Sequence, residues 1–89
     1  VYQEAPLSVD KGLDLNSTLK LYPNPATDII QISSKLPISR LALYNVFGKL
    51  ILKKETDTNS LDVSQLNTGV YFLEAYSNTE KVVKKVIVN

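Results

Sequence analysis

The chain has 89 residues, with 10 Lys+Arg against 9 Asp+Glu for a net charge of +1, and it contains no Cys, His, Met or Trp. Without Cys and His there is no zinc finger, haem ligation, disulfide framework, or Ser-His or Cys-His catalytic constellation. A near-balanced charge gives no electrostatic basis for wrapping nucleic acid, and a chain this short buries about 60–65% of its unfolded surface, enough for one small domain.

Residues 1–19 read as a polar, irregular lead-in, punctuated by Pro6, Asp10, Gly12, Asp14, Asn16, Ser17 and Thr18. No helical or alternating stripe persists there. Leu13, Leu15 and Leu19 could touch a neighbouring domain or the sheet that follows, but the stretch as a whole reads as a linker. The start at Val1 rather than Met reads as a fragment or processed product, and any signal peptide is expected upstream. No stretch approaches the roughly 20 apolar residues of a membrane span.

From Leu19 the character changes. Residues 19–22 alternate until Pro23-Asn24-Pro25, where a central strand cannot continue because proline lacks an N–H and fixes φ. Residues 28–33 put Ile30 and Ile32 on one face. Residues 39–46 put Leu41 and Leu43 on one face, Ala42 and Tyr44 on the other. Residues 49–55 hold Leu50-Ile51-Leu52, and 61–63 form a short alternating piece. Residues 70–77 set Tyr71, Leu73 and Ala75 against Phe72 and Tyr76, and residues 82–88 close with valines and Ile87 around Lys84 and Lys85. Gly48 suits the left-handed position of a short hairpin, and Gly69, after Asn67-Thr68, suits a positive φ or a close backbone approach. Ser64-Gln65-Leu66 suits a short 3₁₀ turn. About seven short strands at a spacing of about 8–12 residues predict an all-β, immunoglobulin-like antiparallel β-sandwich.

Catalytic chemistry finds little footing. With no His, a nucleophile would need Lys, Asp or Glu as its base, and no serine or threonine between Leu19 and Leu66 lies in a G-x-S-x-G elbow or an S-x-x-K arrangement. The acidic residues are scattered singly beside turns. Glu55-Thr56-Asp57-Thr58-Asn59 alternates oxygen ligands as weak calcium loops do, but lacks the Gly and distal Glu of an EF-hand, and reads as a plain loop. Asn16-Ser17-Thr18 matches a glycosylation acceptor by pattern alone. No metal, cofactor or small-molecule substrate is expected. Tyr44, Phe72 and Tyr76 are candidates for a sugar-stacking platform, although aromatics in strands more often pack. Lys81, Lys84 and Lys85 have two open readings: a protected sheet edge, or a basic recognition strand.

In order along the chain stand Leu21-Tyr22-Pro23-Asn24-Pro25-Ala26-Thr27-Asp28, Leu41-Ala42-Leu43-Tyr44-Asn45-Val46-Phe47-Gly48-Lys49, Leu61-Asp62-Val63-Ser64-Gln65-Leu66 with Gly69-Val70-Tyr71-Phe72, and Lys85-Val86-Ile87-Val88. Residues 21–89 thereby resemble the C-terminal sorting domains of the bacterial type IX secretion system, departing at Asn89, where the family often ends in Lys or Arg. Residues 1–20 lie outside the resemblance.

The resemblance implies an immunoglobulin-like sandwich, 20–89, behind a lead-in, 1–19. It implies a domain that is not an enzyme and that directs an N-terminally fused cargo through an outer-membrane translocon. A separate sortase-like peptidase often removes the domain, and the cargo is attached to surface lipopolysaccharide or released. Its location would be the periplasm in transit, then the cell surface or medium of a Gram-negative bacterium. The expected recognition element is the terminal strand, Lys84, Lys85, Val86, Ile87 and Val88, able to leave its sheet edge. Tyr22, Pro23, Asn24, Pro25, Asp28, Gly48, Lys49, Leu66, Gly69 and Tyr71 are expected mainly to shape the fold, Asn24 by bonding nearby backbone. The competing readings are a β-sandwich spacer or carbohydrate-binding module of a surface enzyme, and a homophilic adhesion module.

Overall fold

A computed structural model describes residues 15–78 and 80–89. A one-turn helix, α1 (Leu15–Thr18), precedes seven strands: β1 (Lys20–Tyr22), β2 (Ile29–Ser33), β3 (Arg40–Asn45), β4 (Leu50–Lys54), β5 (Ser60–Asp62), β6 (Gly69–Tyr76) and β7 (Lys81–Val88). They build two antiparallel sheets, β1-β2-β5 and β4-β3-β6-β7. The seven-stranded, two-sheet expectation is met.

Period-2 alternation explains which side chains meet. Ile30, Ile32 and Leu61 from the first sheet share one core with Leu41, Leu43, Tyr71, Leu73, Ala75, Val86 and Val88 from the second. The faces read for β2, β3 and β6 are those observed, except that Ala42, on the opposite side of β3 from Leu41 and Leu43, is also buried. The three-residue turn after Val63 is closed by the Leu66 N–H donating to the Val63 carbonyl at 3.0 Å. Its i→i+3 bond is that of the short 3₁₀ turn expected there.

The core reaches further toward the N-terminus than the polar character of the lead-in implies. Leu15 and Leu19 are buried with the strand residues, and the Leu15 N–H donates to Glu80 Oε1 at 2.6 Å. The packed unit therefore includes 15–19. Leu13 and the rest of the lead-in lie outside the described residues.

The two turn glycines divide. The β3–β4 hairpin is built on Asn45, whose Oδ1 accepts from the N–H groups of Phe47 and Lys49 at 2.9 and 3.0 Å. Gly48 completes it at φ 84°, in the left-handed region. Gly69 has neither a positive φ nor any atom within 4 Å of a would-be Cβ, so the expected conformational need is absent there. It simply opens β6. Gly48→Val should lower stability by about 1–2 kcal/mol through left-handed strain. Gly69→Ala should stay within about 0.5 kcal/mol of the parent, as surface changes away from special backbone do. Denaturant midpoints check both, and equal losses at the two sites would contradict this division.

Candidate functional site

β7 is an edge strand, paired with β6 through eight residue pairs from Gly69↔Val88 to Tyr76↔Lys81. Its outer edge is not bare. The segment between β1 and β2 crosses it as a strap. Asn24 Nδ2 donates to the Lys85 carbonyl at 3.1 Å, and Asn24 Oδ1 accepts from the Ile87 N–H at 3.0 Å. The Ala26 N–H then donates to the Ile87 carbonyl, and the Asn89 N–H to the Ala26 carbonyl, each at 2.8 Å, in a parallel bridge. The sequence dictates this arrangement. Pro23 and Pro25 have no N–H to give, so the Asn24 side-chain amide donates in their place, and its oxygen accepts from the same edge. Asn24 therefore bonds backbone 61–63 residues away, not the nearby backbone expected. The peptide bonds before Pro23 and Pro25 are both cis.

The five residues read as a recognition strand separate into two faces. Val86 and Val88 are 0% and 1% exposed and belong to the core. Lys84 shares their side of the strand and is half-buried, so it is not the solvent-facing lysine that the basic cluster implied. Lys85 is exposed and Ile87 half-buried, both on the outward side. Of the five, Lys85, Ile87 and the half-buried Lys84 keep side-chain surface that a partner can meet while the domain stays folded.

The motif residues take the following places. Tyr22, Pro23 and Pro25 are exposed on the strap and its approach. The Asp28 carbonyl accepts from the Val63 N–H at 2.7 Å, extending the β2–β5 pairing. Lys49 closes the Asn45 hairpin, whose tip holds Phe47 at 90% exposure. Leu66 packs partly buried against the core. Tyr71 is buried, and its hydroxyl donates to the Asn67 carbonyl at 2.7 Å, tying the β5–β6 loop to β6.

Tyr44, Phe72 and Tyr76 do share one face, the outer side of the larger sheet, with Tyr44 directly opposite Phe72. They do not make an open platform. The Arg40 guanidinium lies over the Tyr76 ring at 4.0 Å, and the Tyr76 hydroxyl donates to Glu74 at 2.7 Å. Partial burial and then the Glu74 carboxylate push the Tyr44 hydroxyl pKa above its ordinary value. Glu74 also faces Lys81 at 3.8 Å, so Lys81 belongs to this network and not to Lys85. In the 55–59 loop, the Thr58 hydroxyl donates to the Ile38 carbonyl, and no cluster of metal-ligating side chains forms among the described residues.

Asn24→Ala should cost about 1–3 kcal/mol, two hydrogen bonds at roughly 0.5–1.5 kcal/mol each. The Ile87 amide should exchange faster in that variant while the Val86 amide, on the β6 side of the strand, stays protected. Unchanged exchange at Ile87 would show that the strap does not hold the edge.

The architecture is a two-sheet β-sandwich whose last strand is strapped along its outer edge. The family is shown by comparison: residues 20–89 match the secretion system C-terminal sorting domain, and the chain belongs to that family. It is 35% identical over 85 residues to beta-agarase D of Zobellia galactanivorans, covering 96% of this chain and 18% of that protein. It is 34% identical over 87 residues to the endo-acting ulvan lyase of Formosa agariphila, covering 92% of this chain and 17% of that protein. The chain thus spans less than a fifth of the length of these curated relatives. The domain is a type IX secretion sorting signal, and the protein that carries it is exported to the surface or surroundings of a Gram-negative cell.

Proposed function

We propose that the type IX outer-membrane translocon recognises this domain through the outward side of β7 together with the strap beside it. The observation that carries the reading is the edge itself. β7 lies at the rim of its sheet, its outward residues include Lys85 and Ile87, and Asn24 and Ala26 hold it in one shape. The remaining motif residues act by shaping the sandwich. Lys85→Glu should leave stability within about 0.5 kcal/mol of the parent and retain a fused reporter in the periplasm. Normal surface delivery by that variant would remove charge from the recognition and leave strand shape.

The cargo is an N-terminally fused enzyme, in keeping with the agarase and the ulvan lyase, of which this chain spans under a fifth. The sorting domain carries no catalytic step. A sortase-like peptidase severs it, and the cargo is attached to surface lipopolysaccharide or released. A protease needs extended, accessible backbone, and the buried core begins at Leu15 among the described residues. The division into a lead-in and a sorting domain then has its working boundary just before α1. Mass spectrometry of the released fragment should place the cut within 1–14 or upstream of Val1. A terminus inside β3 would overturn the assignment.

A further inference from the structure

The strap closes the edge of β7 only from the Lys85 carbonyl onward. Both backbone groups of one residue point to the same side of a strand, and the side alternates along it. The Lys85 carbonyl and both groups of Ile87 face the strap. The N–H and C=O of Val83 and the N–H of Lys85 therefore face the same edge, and no backbone bond covers them among the described residues. Beside them, between β1 and β7, lies a cleft of about 250 Å³ lined by Leu19, Lys20, Leu21, Asn24, Lys84 and Lys85. Among the described residues its lining combines leucine surface with three lysines and no carboxylate. The volume is below the roughly 300–1,000 Å³ of sites for drug-sized ligands. It suits a side chain and the backbone that carries it.

We propose that this cleft seats an extended, carboxylate-bearing segment of the export machinery, which adds to residues 83–85 as a short strand and ends at the Asn24 amide. The proposal rests on the reading of β7 as the translocon's target and names what meets it. Strand addition uses the exposed donors and acceptor of an edge for affinity and neighbouring side-chain sites for specificity. Here the open edge supplies N–H donors and one acceptor, and Lys20 and Lys85 supply cations for alternate carboxylates. A free phosphate or other small anion is a poorer occupant, because it cannot meet the N–H and C=O of Val83 and the N–H of Lys85 together in strand register.

The test titrates the 89-residue chain with a blocked peptide alternating valine and glutamate, and with its lysine-for-glutamate counterpart, followed by amide resonances. The glutamate peptide should shift the Val83 and Lys85 amides, and the lysine peptide should not. Two variants separate pairing from charge. Val83→Pro removes only an outward donor, which edge strands tolerate. Lys20→Glu with Lys85→Glu inverts the rim. Each should weaken the glutamate peptide at least about tenfold, as loss of a matched charge or strand contact does, with the thermal melt retained. Reporters fused to either variant should stay in the periplasm. Equal binding of both peptides, or no binding of either, overturns the cleft as a carboxylate site. Variants that lose the peptide yet deliver the reporter normally overturn the export machinery as its occupant. A parental reporter that never leaves the periplasm is a different failure, that of the sorting role itself.

Discussion

Deletion of residues 85–89 should abolish cooperative unfolding of the domain, not merely its export. The segment contains Val86 and Val88, both fully buried. Each loses about 1.5–3 kcal/mol of burial when removed. The same deletion strips four residue pairs from the β6–β7 ladder, Gly69↔Val88 to Phe72↔Lys85, and every partner of the strap. Small domains have total stabilities of only about 5–15 kcal/mol, so little remains. Thermal melts and near-ultraviolet circular dichroism of the truncated chain check this, and a cooperative transition near that of the parent would contradict it. Failed export by such a truncation is therefore no evidence of recognition. Lys85→Glu is the informative change, because Lys85 is exposed. Lys84→Glu should cost more, because Lys84 is half-buried on the core side of the strand.

Leu15→Ala should destabilise the domain by about 2–5 kcal/mol, the range for emptying a buried leucine site. This is a large effect for a residue outside both the matched span, 20–89, and the quoted motifs. Leu15 is 0% exposed, and its α1 turn is pinned to Glu80. Urea denaturation gives the value directly. A change below about 0.5 kcal/mol, the ordinary size of a surface substitution, would show that α1 contributes nothing to the core.

These two results mark where the sequence was readable. The strands were legible because one face of each is buried, so β2 and β6 show clean alternation at Ile30 and Ile32, and at Tyr71, Leu73 and Ala75. Leu15 was not legible. A single helical turn has no periodicity to detect, and its neighbours are polar. The side taken by Lys84 is legible in the spacing: Val82, Lys84, Val86 and Val88 are spaced by two, so they share one side of β7. Asn24 carried a partial signal. Flanked by two prolines without N–H groups, it is the strap residue able to donate between them, but its partners lie across the fold and no local pattern names them. The need for glycine at Gly48 follows from the Asn45 hairpin, whereas Gly69 resembled it only by standing before a strand.

The most direct measurement of the central claim is fractionation of cells that express a periplasm-directed reporter fused to residues 1–89, in a host with a working type IX system and in the same host lacking the translocon. The account predicts surface or extracellular reporter in the first and periplasmic reporter in the second. Retention in the periplasm of both, with the fused domain folded, would contradict it.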